Sequence, residues 1–110
     1  MAGQFVIKRS TSNQFYFNLK AGNGEVILTS EQYVSKSGAE NGINSVKSNA
    51  PYDANYERKK ATNDQFYFVL KASNGQTIGK SELYKTSAGM ENGIQSVKNN
   101  APTAPTVDLT

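Results

Sequence analysis

Two short strings place an aromatic ring and a cation four residues apart: Tyr16 with Lys20, and Tyr67 with Lys71. In an extended chain such residues share one face of a strand. Each pair therefore offers a ring that can stack on a base and an ammonium that can meet a phosphate, as in proteins that hold single-stranded nucleic acid on a sheet. Tyrosine is also a good strand former that pairs across exposed sheets, and the fuller RNA-recognition signature is missing. The structural reading is therefore preferred. A second group is purely cationic: Lys8-Arg9 and Arg58-Lys59-Lys60. Such clusters attract phosphate, but lysines on an outer strand also block edge-to-edge aggregation, and that reading is favoured. Ser30-Glu31 with Tyr33 recurs as Ser81-Glu82 with Tyr84. A carboxylate beside a phenol has the elements of acid–base work, whereas a turn serine and a packing tyrosine account for the same residues more simply.

The rest of the catalytic vocabulary is absent. The 110 residues include no histidine and no cysteine. Imidazole bases, thiol nucleophiles, disulfides and the usual zinc or haem ligands are excluded. The nine acidic residues show no EF-hand spacing, and there is no Walker loop or dinucleotide fingerprint. We expect no enzyme activity, no cofactor and no metal. The formal charge of +3 is mild, so contact with nucleic acid is permitted without being demanded. The opening Met1 to Lys8 lacks a charged segment followed by a long apolar run, and no apolar stretch nears the roughly 20 residues of a spanning helix. We expect no membrane segment and a cytoplasmic location.

Behind these residues lies a repeat. Residues 14–51 align without a gap on residues 65–102 at an offset of 51, with 24 of 38 positions identical. Half a chain of this length is a marginal folding unit, so the halves are expected to share a core. We read a single domain of two repeats, the first spanning 3–53 and the second 54–110, and expect a monomer, since the internal repeat replaces a dimer.

Each repeat opens with three strands. Gln4 to Lys8 is apolar at Phe5, Val6 and Ile7. Gln14 to Lys20 alternates, with Phe15, Phe17 and Leu19 inward and Tyr16, Asn18 and Lys20 outward. Asn23-Gly24 signals a hairpin in which both residues tolerate positive φ. Glu25 to Thr29 is the third strand, with Ile27 in the core. A helix follows, because Ala39, Gly42, Ile43, Val46 and Ala50 form one stripe. Ser37 with Glu40 reads as its capping box, and Pro51 ends it. In the second repeat Ala88 replaces Ser37, leaving Ser87 or Thr86 to cap. Its core is expected at Phe66, Phe68, Leu70, Ile78, Ile94 and Val97. Gly42 and Gly93 each cost about 1 kcal/mol relative to alanine within a helix, which points to a close approach by the sheet or the other helix. The tail Val107-Asp108-Leu109 reads as a short edge strand or a frayed end.

The doubled block QFYF-LKA-NG…I…SE-Y…ENGI-SVK-NAP resembles the YegP-like proteins, a bacterial family. The resemblance covers nearly the whole chain. It implies β-β-β-α units, single in dimers or doubled in one chain, joined in one antiparallel sheet with exchange of the C-terminal strands. It implies no activity, cofactor or substrate and carries over no functional residue. The expected fold is thus α+β: two tandem β-β-β-α repeats forming one antiparallel sheet with two helices on one face and pseudo-two-fold symmetry. The leading functional reading is a small interaction or structural module. The alternative is a binder of nucleic acid or another anionic ligand, through the sheet face (Tyr16, Lys20, Tyr67, Lys71) or the basic edge (Arg58, Lys59, Lys60).

Overall fold

The computed structural model describes residues 3–110, so Met1 and Ala2 lie outside it. The first repeat comprises β1 (Gln4–Arg9), β2 (Phe15–Lys20), β3 (Val26–Ser30) and α1 (Lys36–Asn49). The second comprises β4 (Tyr56–Lys60), β5 (Phe66–Lys71), β6 (Thr77–Lys80) and α2 (Ser87–Asn100), followed by β7 (Thr106–Asp108). All seven strands form one sheet in the order β4-β5-β6-β3-β2-β1-β7. The repeats therefore meet at β3 and β6, through the pairs Thr29↔Lys80 and Ser30↔Gly79.

The helices cover one face. Phe5, Ile7, Phe17, Leu19 and Leu28 of repeat 1 and Tyr56, Phe68, Leu70 and Ile78 of repeat 2 form one core with Ala39, Ile43, Val46, Met90, Ile94 and Val97 of the helices. Neither helix stays with its own strands. Besides β2, α1 packs on β5 and β6, while α2 reaches from β5 to β3. The core thus belongs to both repeats at once. Phe15 and Phe66 lie at its margin, partly buried.

Three details depart from the expectations. The sheet is mixed, because β7 runs parallel to β1. Asn100 at the end of α2 accepts from the Gly3 backbone N–H at 3.0 Å, so the chain leaves that helix beside the start of β1 and runs on in the same direction. Backbone bonds from Phe5 to Pro105 and from Leu109 to Ile7 hold β7 as an edge strand. The cap of α1 is Ser35, not Ser37. Ser35 has extended backbone, and its hydroxyl accepts from the Gly38 N–H, leaving Ser37 inside the helix. Thr86 does the same for α2. The Asn23-Gly24 hairpin forms as expected, with positive φ at Gly24 and its N–H bonded back to the Ala21 carbonyl. The last departure is Leu28. A register shift opposite Leu19 and Lys20 turns both Ile27 and Leu28 to the helix side, where strict alternation would split them.

Gly42 is needed for a close approach. The Tyr33 ring stacks near-parallel on Phe17 at 6.3 Å, and its hydroxyl reaches under α1. A Cβ on Gly42 would collide with that hydroxyl and stand 2.9 Å from the Phe17 ring. Gly93 meets Tyr84 in the same way. Gly42→Ala should lower stability by about 1–3 kcal/mol through overpacking, and Tyr33→Phe, which removes the nearest atom, should recover part of the loss. Urea midpoints of the single and double variants read this coupling, and additive losses would refute it.

Candidate functional site

The opposite face of the sheet carries no helix. Its residues follow from cross-strand register, since paired residues share a face. One row runs across all seven strands: Val107, Val6, Asn18, Thr29, Lys80, Val69 and Glu57. Val6, Asn18 and Val69 are buried in it, and the Asn18 amide donates to the Thr29 hydroxyl at 2.9 Å. On one side of this row Lys8 opposes Tyr16, and on the other Lys20 lies between Gln4 and Val26. In repeat 2 Tyr67 opposes Lys59 and Lys71 opposes Thr77. Within the strands, this face presents Lys8, Lys20, Lys59, Lys71 and Lys80 against one carboxylate, Glu57. Long lysine stems shield the apolar row while their ammonium groups stay in water.

The expected residues separate into two groups. Tyr16, Lys20, Tyr67 and Lys71 all lie on the open face, together with Lys59. Tyr16 and Tyr67 are three strands apart, roughly 14 Å or more, so no single base can touch both rings. Lys80 sits over the Tyr67 ring, 5.0 Å from its centroid. Arg58 opposes Phe68 and so points to the helix side. It binds Asp53 at 2.9 Å and Glu91 at 2.6 Å. Lys60 pairs with Asp64 at 3.6 Å, and Glu57 is shared by Lys59 and Lys71 at 3.3 and 3.2 Å. Lys8, Lys20 and Lys80 make no ion pair among the described residues. The basic string Arg58-Lys59-Lys60 is thus divided between two faces. Sequence reading passed over Lys80, whose signal was a mismatch between repeats: it stands where repeat 1 has Thr29.

Ser30 and Ser81 have structural work. Each hydroxyl accepts a backbone N–H (Phe17 at 2.8 Å, Phe68 at 2.9 Å) and donates to the next carbonyl. This satisfies the ladder where β3 and β6 end. Glu31 and Glu82 stand exposed beside them. A cleft of about 440 Å³ at the joint is lined by Thr29, Ser30, Glu31, Lys80, Ser81, Glu82 and Leu83. A second cleft of about 440 Å³ lies between α1 and the β5–β6 hairpin, with Glu31, Tyr33, Ser45, Gln76 and Thr77 around Gly42, Ala72 and Ile78. Burial, reinforced by Glu31, pushes the Tyr33 phenol up. Among the described residues no three metal-ligating side chains cluster, and no helix is long and apolar enough to cross a membrane.

This arrangement, two copies of one unit sharing a sheet and a core, is that of a known family. A family model described as a domain of unknown function, DUF1508, matches residues 10–57 and again 61–108, and the chain belongs to that family with two copies in tandem. Its relatives include the UPF0339 protein YegP of Escherichia coli K12, 54% identical over 110 residues and covering both chains completely. A UPF0339 protein of Bordetella pertussis is 57% identical over 110 residues, covering 100% of this chain and 98% of that one. The solution NMR structure of a UPF0339 protein from Shewanella oneidensis matches with a TM-score of 0.94 at 53% identity, covering 100% of this chain and 93% of that one. That of yegP from E. coli matches at 0.95 and 55% identity, covering 100% and 95%. None of these names states an activity, ligand or partner.

The ion-pair cluster on the helix side has a pH consequence. Hydrogen bonds from Arg58 and then Lys98 hold the Asp53 carboxyl down, from the ordinary 3.8 to about 2. The bond from Arg58 lowers Glu91 as well. A carboxyl depressed in the folded state adds stability that is complete above its unfolded value and is lost as pH falls through the folded one. The thermal midpoint should therefore fall between about pH 4 and pH 2. Asp53→Asn should make that fall shallower, as followed by circular dichroism, whereas an unchanged slope would refute the assignment.

Proposed function

We propose that this chain is a non-enzymatic interaction module, a cytoplasmic monomer that presents the open face of its sheet to an anionic partner. One observation carries the reading: five lysines and a single strand carboxylate share that face, while Asp53, Glu91 and Asp108 are engaged on the helix side. Such a division raises the local concentration of anions at one surface although the net charge is only +3. The half-buried rings of Tyr16 and Tyr67 flank the lysines and suit the bases of a single strand, which makes single-stranded nucleic acid the first anionic polymer to test. The sequence holds no imidazole or thiol, and this weighs against catalysis.

A labelled single-stranded oligonucleotide titrated at low salt should bind, with affinity falling as salt rises. Replacing Lys20 and Lys71 together by glutamine should weaken binding and lower the salt slope by about 1.4. Tyr16→Ala with Tyr67→Ala should weaken binding while leaving the slope in place. Fluorescence anisotropy reads all three, and no binding at low salt would remove nucleic acid as the partner.

A further inference from the structure

The joint between the repeats is not symmetric, although the repeats are. Leu28 and Gly79 occupy equivalent positions at the offset of 51. Both lie on the helix side, next to the pseudo-axis, where β3 meets β6. Leu28 is fully buried, and its side chain fills the space above Gly79. A Cβ there would stand 2.8 Å from the Leu28 Cγ and 3.0 and 3.2 Å from its two methyl carbons. The site has room for one leucine. On the open face the axis falls between Thr29 and Lys80, which pair directly and are again equivalent positions.

We propose that this joint is a selective interface: the inner strand of each repeat fits the other repeat and rejects a copy of itself. Two first repeats joined in the same way would place leucine against leucine in a space made for one. Two second repeats would leave a hole between glycines and set one Lys80 directly against another, and like charges in direct opposition destabilise a strand pair. The outer edges show the same division of labour. Repeat 1 presents Val6 and Ile7, which β7 covers. Repeat 2 has Glu57 and Arg58 at those positions, and both are exposed. The partner that the inner strand of either repeat accepts is therefore the unlike repeat of its own chain.

The test is a reciprocal exchange in the full chain that leaves composition unchanged. Leu28→Gly opens a void, and Gly79→Leu overpacks the joint. Each alone should lower the thermal midpoint by about 10 °C or more. Combined, they return one leucine to the shared space and should recover at least half of the summed loss. A combined variant no more stable than the sum of its parts, or one that fails to fold, overturns the proposal for the core side. The open face gives a second reading at solvent-accessible positions. Thr29→Lys should lower the midpoint at low salt, the deficit should shrink as salt rises, and adding Lys80→Thr should remove its salt-dependent part, leaving the loss of the Asn18–Thr29 hydrogen bond. A deficit that salt does not change and the second substitution does not repair overturns the charge half of the proposal.

Discussion

The contact between β3 and β6 is the constraint on which the rest of the structure depends. It consists of two paired positions on each strand, yet it turns two three-stranded meanders into one sheet. Each repeat alone is at the size where burial barely offsets the entropy of ordering the chain. Across the joint the helices exchange partners, α1 onto β5 and β6 and α2 onto β3, so Ile43 and Val46 share one core with Ile94 and Val97. Leu28 over Gly79 closes the seam from within. Separating the strands would expose inner edges, a fully buried leucine and parts of both helices together.

Much of this was legible in the sequence because two periodicities were clean. Phe17, Leu19, Phe68 and Leu70 obeyed the strand period, and Ala39, Gly42, Ile43 and Val46 obeyed the helical one; all are buried. The offset of 51 made the second half a check on the first. What stayed illegible came from local departures from regularity. Leu28 follows Ile27 directly, so alternation alone put it on the wrong face, and only the register shift opposite Leu19 and Lys20 brings both inward. Ser37 had the right neighbour for a capping box, but extended backbone at Ser35 starts the helix two residues sooner. The direction of β7 depends on where α2 ends in space, which no residue type encodes.

The candidate site was half legible for the same reason. Alternation placed Tyr16, Lys20, Tyr67 and Lys71 on the open face. It did not show that Arg58, adjacent to Lys59 in sequence, belongs to the helix side, held by Asp53 and Glu91. Nor did it reveal Lys80, which stands beside Thr29 in the row that crosses all seven strands. Charge along the chain is mixed. In space, Asp53, Glu91 and Asp108 pair with Arg58, Lys98 and Lys36 on the helix side, while Glu57, Lys8, Lys20, Lys59, Lys71 and Lys80 share the uncovered face.

The central claim is that two repeats make one cooperative unit through the β3–β6 joint. Native-state hydrogen exchange at increasing denaturant tests it most directly. The slowest amides of β2 and β5, one set in each repeat, should converge on a single opening free energy and fall together as denaturant rises. Two separate isotherms, with one repeat opening while the other stays protected, would contradict a shared core.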